Sequence, residues 1–278
     1  MTVTTRAPTA IRRPAGDGRA VVAVTTRVLR DQRRSPLTWG IPLGLLSALE
    51  LAIYPSVHES LGKALDSYPD ALKQAFQIEA IDTPAQFLHG EMFSLIVPLA
   101  VAFFAIRAAS RPIAGYEDRH WLDVVLAAPV RRRALAGGAF AGSAIASLAI
   151  LVVMAVLSWI AGQVFGAQVG VGAMGAAVAG TWAFALFFAG VALVVCGRLG
   201  NWTVVTGAAA GLLVTMYVLD VAARVADSID PIGYVSAFHW YGSPLLDGLA
   251  GGHALLAAVG ALLALAGAAL FERRDIHG

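Results

Sequence analysis

Six apolar stretches of about 18 residues or more constrain the fold of this chain more than any other feature. They cover residues 37–54, 92–109, 135–164, 171–196, 202–223 and 249–271. A membrane-spanning helix needs about 20 mostly apolar residues. Because a backbone in lipid must satisfy its own hydrogen bonds, such stretches fold as helices. The sequence therefore predicts an all-α membrane protein with six transmembrane helices.

The composition supports a membrane protein. Hydrophobic residues make up 58% of the chain and charged residues only 14%, and the mean hydropathy is +0.71. A soluble domain carries about 25% charged residues. The chain has one cysteine, Cys196, so it cannot form an internal disulfide or a cysteine-based metal cluster.

Basic residues are distributed unevenly between the two sides of the predicted bundle. Only Lys63, Lys73 and Arg224 fall on one side, where acidic residues dominate. Loops rich in arginine stay in the cytoplasm. Both termini are therefore predicted to be cytoplasmic, in the inner (cytoplasmic) membrane of a bacterium. The arginines of that side are Arg6, Arg12, Arg13, Arg19, Arg27, Arg30, Arg33, Arg34, Arg107, Arg111, Arg119, Arg131, Arg132, Arg133, Arg198, Arg273 and Arg274.

The chain divides into a basic segment, residues 1–34, and a single transmembrane domain, residues 35–278. Within the first, residues 20–34 alternate valines and leucine with arginines, as in an amphipathic helix that lies in the membrane interface. A basic tail that only orients the first span is the alternative. Residues 55–90 are predicted to form an outer loop, and the sequence does not indicate its role. The cytoplasmic connection 110–134 contains a short helix predicted over 116–127.

Motifs for catalysis or nucleotide binding are not found. The nearest fragment to a phosphate-binding loop, Gly62-Lys63-Ala64, lacks the serine or threonine that should follow the lysine. No His-Glu-x-x-His pair or Gly-x-Ser-x-Gly turn occurs, and the six histidines are scattered. We therefore expect no catalytic residue, metal ligand or bound cofactor in this chain, and no nucleic-acid partner.

Ionisable residues within spans are candidates for function because their burial in lipid is costly. Glu50 lies in the first span, and Asp220 and Arg224 lie near the outer end of the fifth. The i, i+4 spacing lets Asp220 and Arg224 form an ion pair. The alternative readings are a carboxylate near the outer headgroups for Glu50 and a locally satisfied interfacial charge for the pair.

Small residues recur at a spacing that suits close helix packing. Gly138 and Gly142 form one such pair, and Gly207 and Gly211 form another. The two pairs either pack helices within one subunit or form a seam between subunits.

Two segments resemble the permease subunits of ABC-2-type ABC transporters. The first follows the second span and consists of Glu117 and, further on, Leu126-Ala127-Ala128-Pro129-Val130-Arg131. The second precedes the last span and resembles actinobacterial members, although Ala237 replaces a proline. It reads Ser236-Ala237-Phe238-His239-Trp240-Tyr241-Gly242-Ser243-Pro244-Leu245.

The resemblance implies the transmembrane half of an exporter that works with a separate ATPase subunit, which binds ATP and magnesium. A second permease copy, identical or related, and membrane lipid are the other implied partners. The resemblance places an ATPase-contacting coupling helix at Tyr116, Glu117, Asp118, Arg119, His120, Trp121 and Asp123. It places an extracellular gate at Phe238, His239, Trp240 and Tyr241.

The functional hypothesis is ATP-driven export of an amphipathic or hydrophobic compound such as a drug, an antibiotic or a lipid-like molecule. Three alternatives stay open at this point: an ion-coupled secondary transporter, an intramembrane enzyme acting on lipids, and a non-transport accessory subunit. A secondary transporter is expected to show internal repeats and charges at mid-membrane, and neither is clear in this sequence.

Overall fold

The computed structural model describes residues 17–65, 83–120, 131–225 and 230–274. In these ranges the chain forms helices and turns without any β-strand. The twelve α-helices are α1 (Asp17–Asp31), α2 (Ser35–Leu65), α3 (Pro84–Leu88), α4 (Ile96–Ser110), α5 (Ala114–Glu117), α6 (Arg132–Phe165), α7 (Val171–Cys196), α8 (Trp202–Val225), α9 (Asp230–Gly233), α10 (Ala237–Tyr241), α11 (Pro244–Asp247) and α12 (Gly251–Arg273).

Within the described ranges, five helices are long and apolar enough to cross a membrane. They are the Ser35–Ser56 part of α2 and the whole of α6, α7, α8 and α12. Their positions agree with five of the six predicted spans, although α6 begins at Arg132 and α2 continues to Leu65.

The second predicted span is not the straight helix expected over residues 92–109. Helix α3 continues into a π-helix, His89–Phe93, and α4 follows after a break, with a bend of 42° between the two parts. The break falls at Leu95, whose φ of −142° and ψ of −60° leave the helical region. A capping box at Thr83 and Gln86 fixes the beginning of α3. With the bent pair counted as one span, the described residues contain six candidate spans.

Helix α1 packs against the beginning of α6 and spans Asp17–Asp31 rather than the predicted 20–34. The contact depends on Gly138 and Gly142, because a Cβ atom at either position would lie 2.5–2.6 Å from the side chain of Val24 or Val28. This glycine pair therefore packs two helices of the same chain. At Gly207 and Gly211, in contrast, an added Cβ would meet no atom within 4 Å.

Helices α7 and α12 approach each other most closely at their glycines. A Cβ atom at Gly190 would lie 2.2 Å from the carbonyl oxygen of Gly260, and one at Gly267 would lie 2.6 Å from that of Leu193. Small residues allow such backbone contact between spans. Because backbone atoms cannot rotate away as a side chain can, we infer that α7 and α12 form one rigid pair.

We predict that Gly190→Ala lowers the stability of the protein by about 1–3 kcal/mol, the usual cost of overpacking. Gly175→Ala on the same helix is the matched control, because its Cβ would meet no atom within 4 Å. Thermal unfolding of the detergent-purified protein measures the difference. Equal midpoints for the two variants would contradict the rigid α7–α12 pair.

Candidate functional site

One end of the bundle holds the arginines that surround the connection between α4 and α6. We call it the arginine-rich end. Helix α5 and the turn 118–120 form the first stem of this connection, and residues 131–132 form the second stem. Residues 121–130, between the stems, lie outside the described residues.

Glu117 in the first stem points into the protein and forms an ion pair with Arg274 at the end of α12. The side chains are only 20% and 13% exposed. Arg274 also donates a hydrogen bond of 2.7 Å from Nη1 to the carbonyl oxygen of Cys196, the last residue of α7. Gly200 leaves room for the carboxylate, since a Cβ there would lie 2.3 Å from Glu117 Oε1.

Arg132 in the second stem contacts the same end of α12. Its Nη1 donates hydrogen bonds to the carbonyl oxygens of Phe271, at 3.2 Å, and Arg274. These carbonyl oxygens lie at the C-terminal end of α12, where the helix itself offers no N–H donors to them. The guanidinium groups of Arg132 and Arg274 each lie 5.6 Å from the centre of the buried Phe271 ring, within range of cation–π attraction. We call Glu117, Arg132, Phe271 and Arg274 the Arg274 cluster.

Asp118 fixes the first stem to the beginning of α8. Its Oδ2 accepts a hydrogen bond of 2.9 Å from the backbone N–H of Trp202. This N–H lies at the N-terminus of α8, where the helix itself offers no acceptor. The indole of Trp202 donates in turn to Ser110 Oγ, at 3.2 Å. The guanidinium of Arg107 lies 4.9 Å from the centre of the Trp202 ring. The first stem is thus attached to α4, α8 and α12.

Tyr116 attaches the first stem to α1. Its hydroxyl donates a hydrogen bond of 3.1 Å to Asp31 Oδ2. Burial of the ring, together with the neighbouring Asp31 carboxylate, raises the pKa of Tyr116 above its usual value. The hydroxyl therefore stays protonated and remains a donor at neutral pH.

The predicted coupling-helix residues separate into two groups. Tyr116 and Glu117 are partly buried and hold the stem in place, whereas Asp118, Arg119 and His120 are exposed. Trp121 and Asp123 lie outside the described residues. Of the helix predicted over 116–127, residues 121–127 lie outside the described residues; α5 ends at Glu117, and His120 has a φ of 54°. Such a left-handed residue is incompatible with a continuing helix.

The predicted gate residues, at the opposite end of the bundle, also divide into two groups. Phe238 and Tyr241 are buried, with ring centres 4.7 and 5.2 Å from that of Phe184 on α7. The Tyr241 hydroxyl donates to the carbonyl oxygen of Phe93, at 3.1 Å, and also shares a hydrogen bond of 3.1 Å with Thr181. Tyr241 therefore joins α7 to the end of the π-helix.

His239 and Trp240 face outward instead. Both rings contact that of Tyr234, and Trp240 Nε1 donates a hydrogen bond of 2.9 Å to the Tyr234 carbonyl oxygen. Exposed aromatic residues of this kind are typical of the membrane–water interface.

The charges predicted within spans lie toward the same opposite end. Asp220 and Arg224 form the expected i, i+4 ion pair, with side chains 3% and 26% exposed. Asp220 is therefore buried inside the protein, and its charge is satisfied locally by Arg224. Glu50 is half-buried on α2.

No sequence pattern indicates a role for Arg274, Arg132, Trp202 or Thr181. Arg274 and Arg132 were visible only as basic residues next to spans, and their partners are far away in the chain. The described residues contain no group of three or more histidine, cysteine, aspartate or glutamate side chains placed to hold a metal ion.

These features define the class of the protein, a multi-pass α-helical membrane protein with a charged network at one end. Residues 25–272 match the family of the multidrug efflux system permease Rv1217c, C-terminal domain, and the chain belongs to this family. The resemblance to permeases is confirmed at this level. No curated protein matches the chain significantly.

We predict that Arg224→Ala destabilises the protein by about 3–5 kcal/mol, because it leaves the buried Asp220 carboxylate unpaired. Asp220→Ala is expected to cost less, since Arg224 is more exposed and can extend toward the interface. The double variant should be more stable than Arg224→Ala alone. Chemical denaturation in detergent measures all three, and additive losses would contradict a buried pair.

Proposed function

We propose that this chain is the transmembrane permease subunit of an ATP-binding cassette exporter that removes amphipathic or hydrophobic compounds from the cell. The observation that carries the proposal is the family match over residues 25–272, since the family is named for multidrug efflux permeases. The arrangement of the arginine-rich end supports it.

The proposed orientation places the arginine-rich end in the cytoplasm of a bacterial cell, in accord with the positive-inside rule. The bent pair of α3 to α4 then serves as the second of six spans, and both termini are cytoplasmic. Helix α1, with its arginines, lies along the inner membrane surface.

ATP and magnesium are bound by a partner ATPase in this proposal. The ATPase contacts the connection between the two stems, and the exposed Arg119 and His120 lie on its N-terminal side in the chain. Glu117, by contrast, acts inside the permease, since its carboxylate is paired with Arg274. A change of conformation requires a ligand that binds the two states with different affinity, and ATP on the partner supplies this difference.

The cargo class is inferred from the surfaces of the spans. A groove of about 460 Å³ between α6 and α7 is lined by apolar residues and glycine. The lining residues are Val152, Ala155, Val156, Trp159, Val171, Met174, Gly175 and Val178. Such a surface favours hydrophobic compounds over ions or sugars. A second permease copy completes the exporter.

Crosslinking from two exposed positions tests the proposal. A photoreactive amino acid replaces Arg119 at the arginine-rich end or, as the matched control, Tyr234 at the opposite end. In the native host, position 119 should capture a soluble protein with a phosphate-binding Gly-Lys-Ser/Thr loop, and position 234 should not. Inverted membrane vesicles that contain the captured partner should accumulate ethidium only when ATP is added.

Two results would contradict the proposal. Capture of the ATPase from position 234 rather than 119 would place it at the wrong end of the bundle. Ethidium accumulation driven by a proton gradient in the absence of ATP would favour the ion-coupled secondary transporter instead.

A further inference from the structure

Both stems of the loop between α4 and α6 are attached to the end of α12. The chain itself connects the loop only to α4 and α6. Glu117 in the first stem forms an ion pair with Arg274, and Arg132 in the second stem donates hydrogen bonds to the carbonyl oxygens of Phe271 and Arg274. A displacement of the loop therefore also acts on a helix that lies more than a hundred residues further along the chain.

Arg274 connects this attachment to α7 as well. One of its guanidinium nitrogens faces Glu117, and the other donates to the carbonyl oxygen of Cys196. A planar guanidinium group can hold several acceptors in a fixed geometry, whereas an ammonium group acts as a point charge. A single side chain thus holds the loop stem, the end of α7 and the end of α12 together.

The α7–α12 pair extends from this attachment to the opposite end of the bundle. The backbone contacts at Gly190 and Gly267 make it rigid over its length. At the far end, Gly180 of α7 lies against His253 of α12 and Pro244 of α11. The next residue, Thr181, bonds to Tyr241, a residue of the predicted gate.

We propose that Arg274 is a positioning residue that makes the loop and the α7–α12 pair move as one body. Its use in transport rests on the proposed function. When a partner displaces the loop, the ion pair with Glu117 carries α12 and α7 along, and Thr181 conveys this motion to Tyr241 at the other end. Without the Arg274 side chain, the first stem moves independently of α7 and α12, whereas the second stem keeps the bond of Arg132 to the carbonyl oxygen of Phe271.

Spin-label distances test the attachment without any transport. Labels replace the exposed residues Arg119, in the first stem, and Leu265, on α12, in a Cys196→Ala background. The distance distribution should broaden in Arg274→Ala and stay narrow in Arg273→Ala, the exposed neighbour that serves as the matched control. The double variant Glu117→Arg with Arg274→Glu, which exchanges the two charges, should narrow the distance distribution again. Arg274→Lys should give a distribution of intermediate width.

Transport tests the consequence. In inverted vesicles, the ethidium moved per ATP hydrolysed should fall at least about fivefold in Arg274→Ala, the lower end of typical couplings between sites. Arg273→Ala should match the wild type, and the charge exchange should recover most of the loss. ATP hydrolysis itself should continue, because Arg274 does not belong to the ATPase.

Each contrary result overturns the inference at a defined step. Equal distance distributions in Arg274→Ala and Arg273→Ala would show that Arg274 does not hold the stem. A broadened distribution with unchanged transport per ATP would show that the attachment does not transmit motion. If the wild type moves ethidium without ATP, the proposed function fails, and the distance distributions still decide whether Arg274 holds the loop.

Discussion

The largely buried ion pair between Glu117 and Arg274 is the interaction on which the arginine-rich end depends. A buried charge is tolerated only when it is paired and hydrogen-bonded, and Arg274 meets this condition with the Glu117 carboxylate and the carbonyl oxygen of Cys196. An arginine at the C-terminal end of α12 is also favoured by the helix dipole. Removal of either partner leaves the other charge largely buried without its ion-pair partner, so the pair constrains the position of the first stem.

Glycine contacts extend this constraint along the bundle. The backbones of α7 and α12 meet directly at Gly190 and Gly267, where no side chain separates the two helices. The hydroxyl of Tyr241, bonded to Thr181 and to the carbonyl oxygen of Phe93, connects the far end of this pair to the bent span. Packed elements of this kind shift as units rather than deform continuously, so the structure suits rigid-body motion between two states.

The sequence predicts the elements of this fold better than the contacts between them. Five apolar stretches correspond to five long helices, and the spacing of Asp220 and Arg224 identifies their ion pair, because both are local properties of a helix. The bend in the second span was missed, since no residue pattern marks the π-helix at His89–Phe93. The partner of Glu117 was missed because it lies 157 residues away in the chain. The sequence predicts Glu117 as a contact for another protein, and local spacing cannot reveal its ion pair with Arg274.

The most direct test of the account is the sidedness of the two ends. Three long helices, α6, α7 and α8, separate Arg119 from Tyr234, so the two residues should lie on opposite sides of the membrane. In a Cys196→Ala background, a membrane-impermeant maleimide should label Tyr234→Cys in intact cells and Arg119→Cys only in inverted vesicles. Labelling of both positions from the same side, or of Arg119→Cys from outside the cell, would contradict a cytoplasmic loop that receives the motion of a partner ATPase.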